Sequence, residues 1–211
     1  MYDNEKKELL DICLEMIERS MVIGSSGNGS VRVDDHVVIT PSSVKYKEMK
    51  PEDMVVIDLE GDVVEGDRNP STESPMHLEA YRTREDAGAI IHPHSIFTTA
   101  LSILHKPLPM VIDEVVPKLG GEIRVASYSM PGSKDLAKNA IEAMVDRSVV
   151  LLSNHGALCI GNNLRKALDN AILLERSCRI YLIALQAGQP IELPADVIEE
   201  EADLWEMMRD F

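Results

Sequence analysis

The chain has 211 residues, 45% of them hydrophobic, with 36 acidic against 21 basic side chains and a formal net charge of -15. That length can bury a sizeable core in one large domain or two small ones, and no basic cluster interleaved with aromatics occurs, which argues against a nucleic-acid partner. No apolar run reaches membrane-spanning length and the N-terminus Met1-Tyr2-Asp3-Asn4-Glu5 is charged, so a cytoplasmic protein without a membrane partner is expected. An anionic ligand would need a locally built positive site in so acidic a chain. With one Trp and two Phe, aliphatic residues and the 11 Met must fill the core. Cys13, Cys159 and Cys178 are far apart, odd in number and set in apolar or helical patterns, which reads as buried thiols and not disulfides or a zinc knuckle.

Residues 4–21 have the spacing of an amphipathic helix, with Leu9, Cys13, Met16 and Ile17 on one side. A glycine- and serine-rich turn, 24–30, leads into a strand at Val31-Arg32-Val33. Val37 to Thr40 is a second strand, and Pro41-Ser42-Ser43 a second polar turn. Met54 to Asp58 and Val63-Val64 flank Glu60-Gly61-Asp62 as a hairpin. A third turn, Asn69-Pro70-Ser71-Thr72, precedes Glu73, and Ser74-Pro75 has the form of an N-cap followed by proline at the first helical position, which predicts a helix from about Pro75 to Arg84. A buried strand over 88–92 and a helix from Ser95 to Leu104 follow. Residues 105–131, with Pro107, Pro109, Pro117, Pro131 and Gly120-Gly121, read as short strands and long loops. Ser133 caps a helix to about Asp146, Val149 to Leu152 is a strand delivering Asn154-His155-Gly156, and Ala157 to Ile160 leaves again. The longest helix spans roughly 163–187, ended by Gly188 and Pro190, and 195–210 is an acidic terminal helix. No repeat, low-complexity segment or linker divides the chain, so one domain over 1–211 is expected. The irregular alternation of helices and strands predicts an α/β fold with helices packed around a mixed or mostly antiparallel sheet.

The chemistry concentrates in Ile90-Ile91-His92-Pro93-His94-Ser95. Alternate residues of an extended segment point the same way, and the proline between them stiffens the backbone, so both imidazoles can face one divalent metal. His155, also at a strand end and followed by a glycine that admits close backbone approach, supplies a third ligand. Three histidines and an open position is the pattern of a catalytic zinc; a structural zinc normally has four protein ligands. A lone His-X-His pair is as readily a satisfied polar pair. Glu73 reads blandly as a solvated carboxylate near a helix N-terminus, and more sharply as a fourth ligand or a general base beside the metal. The turns at 25–30, 42–43 and 71–72 can each present N–H groups and hydroxyls to an anion such as a phosphate; no Walker lysine pattern is present. His36 and His105 read as surface or loop residues. His77 reads as packed structure or as a neighbour of Glu73, and the methionines as core.

Gly27-Asn28-Gly29-Ser30-Val31-Arg32, Ile39-Thr40-Pro41-Ser42-Ser43, Pro70-Ser71-Thr72-Glu73, Ala89-Ile90-Ile91-His92-Pro93-His94-Ser95 and Asn154-His155-Gly156, in this order and spacing, resemble the class II aldolase/adducin family over about residues 5–190. The resemblance implies a three-layer α/β/α sandwich with a mostly antiparallel sheet, and a homotetramer with active sites at subunit contacts. By position it makes His92, His94 and His155 zinc ligands, one ion per subunit, with manganese or cobalt as alternatives. Glu73 becomes the acid/base residue, also able to ligate the metal, and Gly27, Asn28, Ser42, Ser43, Ser71 and Thr72 the phosphate-binding turns.

The implied reaction is reversible cleavage of a sugar phosphate, a ketose 1-phosphate like fuculose 1-phosphate, to dihydroxyacetone phosphate and an aldehyde through a metal-stabilised enediolate. Glu73 is expected in a dry pocket that raises its proton affinity. Where aldolases of the family place an aldehyde-side tyrosine, contributed by the neighbouring subunit, this chain has Asp113 followed by Glu114. Pro131 replaces an aromatic, and the tail 204–211 lacks a tyrosine. Asp113 is therefore the candidate for the second proton transfer. The same metal cradle also serves sugar-phosphate 4-epimerases and dehydratases, and the family includes non-catalytic adducin-like interaction domains. Retention of all three histidines and Glu73 favours an enzyme.

Overall fold

The computed structural model of the chain describes residues 2–208. Along it come α1 (Asp3–Glu18), β1 (Asn28–Val33), β2 (His36–Ile39), β3 (Val55–Asp58), β4 (Val63–Glu65), α2 (Ser74–Thr83), β5 (Ala89–His92), α3 (Ile96–Ile103), α4 (Val115–Leu119), β6 (Val125–Ala126), α5 (Lys134–Met144), β7 (Val149–Leu152), β8 (Gly156–Gly161), α6 (Leu164–Ala187) and α7 (Ala195–Met208). The strands form one eight-stranded sheet in the order β4-β3-β2-β1-β5-β8-β7-β6. Every neighbouring pair is antiparallel except β6 with β7.

Side chains alternate across the sheet, and both faces are covered. Val37, Ile39, Val55, Ile57, Ile90, Val150, Leu152, Leu158 and Ile160 pack with Met76, Leu78, Tyr81, Leu136, Ala140 and Met144 of α2 and α5. Their neighbours Val38, Val56, Ala89, Ile91, Val149, Leu151, Ala157 and Cys159 pack with Leu9, Leu101, Leu119, Leu168 and Leu174 of α1, α3, α4 and α6. This is the expected three-layer sandwich. Two-sided burial explains why β5 and β7 read as unbroken apolar runs. Each fully buried aliphatic side chain contributes about 1.5–3 kcal/mol, enough to hold strands of four residues that would not pair stably alone. The three cysteines are free and buried, as their patterns predict.

Several boundaries differ from the sequence reading. β1 starts at Asn28, inside the glycine-rich stretch, because that segment pairs with β5 on one side and β2 on the other. Glu73 itself, not Ser74, is the N-cap of α2, so Ser74 and Pro75 occupy its first turn. α4 lies in a region read as loop. Its Pro117 sits in the first turn, where a backbone N–H has no intrahelical acceptor to lose. The caps Ser133 and Asn163 are as expected, accepting from the N–H groups of Leu136 at 3.1 Å and Lys166 at 2.9 Å. α7 packs on α4 and buries Trp205; positions 209 and 210 of the expected terminal helix lie outside the described residues. Most methionines are core, but Met130, Met207 and Met208 are exposed, since the loop and last helical turn that carry them have no layer above.

Candidate active site

β1 and β5 lie side by side near the middle of the sheet, and their register sets Asn28 opposite His92. Asn28, Ser30, Ile90 and His92 therefore share the face that α2 covers, and Glu73, at the N-cap of α2, meets His92 there. The His94 N–H donates to the Met21 carbonyl at 2.9 Å, which fixes the chain as it leaves the sheet. His155 sits in the turn joining β7 to β8. Two glycines permit this closeness. A Cβ on Gly156 would lie 2.3 Å from the Pro93 carbonyl oxygen, and one on Gly27, whose φ is +70°, 2.6 Å from that of His92. Any side chain there would push the histidine segment away.

The three imidazoles stand edge to face, with centroids 4.7, 4.8 and 4.8 Å apart. Nδ1 of His92 donates to the Ala157 carbonyl at 2.6 Å, so its Nε2 is the free end, 2.9 Å from Nε2 of His94. Glu73 Oε2 lies 3.1 Å from His92 Nε2, and Oε1 3.4 Å from His155 Nε2. One ligand atom from each of Glu73, His92, His94 and His155 falls within 4.8 Å of the others. A tetrahedral ion with metal–nitrogen bonds near 2.05 Å needs nitrogens about 3.3 Å apart, close to what this cluster provides. The buried Glu73 Oε1 and His155 Nδ1 have no hydrogen-bond partner among the described residues, and a buried polar atom without a partner is costly. A donor set of three imidazoles and a carboxylate, converging and partly unpartnered, fits a divalent cation.

Burial by itself would raise the Glu73 carboxyl, but the His92 charge and hydrogen bond, then His155 and Asn28, outweigh it and hold the group well below the ordinary carboxylate range. This is opposite to the expected raised proton affinity. Burial would likewise depress His92, yet Glu73 and the Ala157 carbonyl raise it. Burial and the charges of His92 and His155 push His94 down to about 3, while burial and His92 push His155 down to about 4. Near neutral pH these two rings are unprotonated and able to ligate.

The three polar turns are drawn together by backbone. Thr40 N–H donates to Gly29 O at 3.1 Å, Ser71 N–H to Thr40 O at 3.0 Å, and Ser42 N–H to Asn69 O at 2.9 Å. Ser42 and Ser43 have their hydroxyls 3.3 Å apart, and Ser71 Oγ accepts from Glu73 N–H at 3.2 Å. Thr72, like Ser43, is exposed, and Gly27 is half-buried. A groove of about 570 Å³ lined by Ile17, Val22, Ile23, Lys45, Lys47 and Ile96 opens beside His94. Glu48 lines the groove as well and pairs with Lys45 at 3.1 Å. Asp113 is not brought into the histidine cluster; it precedes α4 and lies near enough to Glu201 of α7 to raise that carboxyl, whose shift comes first from burial. Glu114 pairs with Arg176 at 3.2 Å. His36 meets Tyr2, and His105 meets Asn154, the residue before His155; neither histidine is a member of the cluster.

Residues 7–182 match the family model described as Class II Aldolase and Adducin N-terminal domain. The chain belongs to this class II aldolase family. A 5-deoxy-D-ribulose 1-phosphate aldolase of Bacillus thuringiensis serovar kurstaki is 38% identical over 208 residues, covering 98% of this chain and 97% of the relative. An L-fuculose phosphate aldolase of Escherichia coli is 34% identical over 190 residues, covering 90% and 88%. A solved L-fuculose 1-phosphate aldolase superposes with a TM-score of 0.92 at 39% identity, over 96% of both chains. The mixed α/β sheet with the seven α-helices of the described residues is therefore the class II aldolase fold. No helix of this class II aldolase is long and apolar enough to cross a membrane among the described residues.

In this class II aldolase three buried residues lie behind Glu73: Tyr81, which the sequence does not single out; Ser30, expected in an anion-presenting turn; and His77, expected as packed structure or as a neighbour of Glu73. Their signal was there in two interlocking periods. Asn28 and Ser30 alternate on a strand face, while Glu73, His77 and Tyr81 recur at four-residue intervals along one helix face. Asn28, assigned to a phosphate turn, has its side chain engaged with Glu73 and His77.

Proposed function

We propose that this protein is a zinc-dependent aldolase that reversibly cleaves a ketose 1-phosphate to dihydroxyacetone phosphate and an aldehyde. The observation that carries this reading is the convergence of Glu73, His92, His94 and His155 within 4.8 Å beside three clustered hydroxyl- and glycine-rich turns. Zinc on the three histidines would supply a Lewis acid for the substrate's carbonyl and neighbouring hydroxyl oxygens. Glu73 would take the proton from the hydroxyl-bearing carbon of dihydroxyacetone phosphate and return it in the cleavage direction. Its depressed proton affinity keeps it in the basic form at neutral pH, and Asn28 holds one of its oxygens still at 2.9 Å. Gly27 and Asn28, Ser42 and Ser43, and Ser71 and Thr72 would hold the phosphate, with Lys47 of the adjoining groove attracting the anion. Asp113 would serve the aldehyde side from a neighbouring subunit of a homotetramer. The whole chain would act as one cytoplasmic domain. The curated relatives name 5-deoxyribulose 1-phosphate and fuculose phosphate as their substrates, which sets the first ketoses to try.

Zinc-loaded protein incubated with dihydroxyacetone phosphate and a panel of short aldehydes should consume both and yield a ketose 1-phosphate visible by NMR. No turnover across the panel removes the aldolase reading, while an epimer or loss of water from the ketose phosphate replaces it with the epimerase or dehydratase alternative.

A further inference from the structure

Glu73 and the four side chains behind it form one continuous hydrogen-bonded row. Asn28 Nδ2 lies 2.9 Å from Glu73 Oε2, Asn28 Oδ1 2.5 Å from His77 Nε2, His77 Nδ1 2.7 Å from Ser30 Oγ, and Ser30 Oγ 2.8 Å from the Tyr81 hydroxyl. All five are buried, with Ser30 and His77 at 0% exposure. The direction of every bond follows from Glu73. An ionised carboxylate only accepts, so the Asn28 amide must turn its NH₂ toward it and its carbonyl toward His77. His77 Nε2 must then carry the proton, which leaves Nδ1 bare to accept from the Ser30 hydroxyl. Ser30, its hydrogen used, accepts from Tyr81. No member has a second consistent orientation while Glu73 is charged.

We propose that His77 is a positioning residue for proton transfer: by donating from Nε2 to Asn28 it locks the amide with Nδ2 on Glu73 Oε2, so that Oε1, which accepts no hydrogen bond among the described residues and lies 3.4 Å from His155 Nε2, is the atom presented to the substrate carbon. His77 is neutral in this role, since burial, with the His92 charge, pushes it down to about 3. Its two ring nitrogens act as one donor and one acceptor, a pairing that a glutamine amide reproduces and a leucine does not. The kinetic part of this inference rests on the aldolase reading above; the orientation does not.

The test uses full-length, zinc-loaded protein. His77→Leu should slow solvent deuterium exchange into dihydroxyacetone phosphate by about 10–100-fold, the usual cost of losing a supporting hydrogen bond behind a site. Zinc content and the KM for dihydroxyacetone phosphate should stay unchanged, and His77→Gln should recover most of the rate. Ser30→Ala, a smaller lesion for use if His77→Leu does not fold, should show the same pattern more weakly. Nitrogen-15 NMR should find His77 as the Nε2–H tautomer in the wild type and a shifted Asn28 side-chain amide in His77→Leu. Wild-type protein inactive on every aldehyde counts against the aldolase reading, whereas an Nδ1–H tautomer overturns the positioning role. That role also falls if His77→Leu lowers Tm yet exchanges at the wild-type rate per folded molecule, the behaviour of mere glue between β1 and α2.

Discussion

Nε2 of His92 and Nε2 of His94 point at one another across 2.9 Å. Because Nδ1 of His92 is committed to the Ala157 carbonyl, these two nitrogens cannot both keep bare lone pairs at that distance without positive charge between or beside them. A proton on His92 Nε2 meets the need, and so does a divalent cation that also reaches His155 and Glu73. Zinc titration should therefore saturate at one ion per chain and raise Tm, because a ligand that binds only the folded state stabilises it. His94→Ala or His155→Ala should weaken binding by more than the about 10–100-fold lost with an outer partner. Competition against a chromogenic chelator measures this, and a His92→Ala/His94→Ala double variant that still holds stoichiometric zinc would refute the site.

Glu73 is both within reach of the metal position and the only carboxylate in the cluster. Its two tasks separate under Glu73→Gln, which keeps the size and one acceptor oxygen for Asn28 but cannot take up a proton. Three histidines should retain zinc in that variant, while turnover should fall by about 10²–10⁴-fold, the range assigned to a positioned acid/base group. Metal analysis and kcat on the same preparation decide it. Loss of zinc with Glu73→Gln would make the residue a ligand first.

His77 gives a pH dependence whose sign can be worked out. Its proton affinity in the folded state is depressed from 6.5 to about 3, so below about pH 6.5 the unfolded chain takes up a proton that the native state refuses. Stability attributable to His77 is thus complete above that pH and is lost as pH falls toward 3, with a slope on the order of 1.4 kcal/mol per pH unit for one proton. Urea midpoints measured from pH 7 to pH 4 should decline in the wild type and decline less steeply in His77→Gln. Parallel curves for the two proteins would show that His77 is not the group involved.

The histidine cluster was legible because His92, His94 and His155 each follow an apolar run, where period-two alternation and chain punctuation locate them without knowledge of the tertiary fold. The irregular alternation of helices and strands pointed to helices packed around a mostly antiparallel sheet, while the three layers came from the family resemblance; the unbroken runs at 89–92 and 149–152 are buried on both faces. The row behind Glu73 was not, since it depends on β1 lying beside β5 and beneath α2, a pairing between segments some 60 residues apart that periodicity does not encode. α4 was hidden by Pro117, which reads as a breaker unless it is known to fall in a first turn. The direction of the Glu73 shift was missed because burial and charged neighbours oppose each other, and composition does not weigh them. Asp113 remains a residue whose setting a single chain leaves beside Glu201, apart from the cluster.

Gly156 lets the two histidine-bearing segments approach closely. A Cβ there would stand 2.3 Å from the Pro93 carbonyl oxygen and 3.1 Å from His94 Cδ2, and backbone cannot yield as a flexible side chain would. Gly156→Ala must push the turn carrying His155 away from the Pro93-His94 segment, so the imidazoles spread beyond a shared ion. Overpacking of this kind costs about 1–3 kcal/mol, and the same displacement should weaken zinc by about tenfold or more, since 1.4 kcal/mol corresponds to one decade. Gly188→Ala is the matching control: nothing lies within 4 Å of its Cβ position and its φ of 165° is extended, so it should leave both Tm and zinc affinity where they are. If Gly156→Ala bound zinc as tightly as the wild type, the close approach of the two segments would not be what sets the metal geometry.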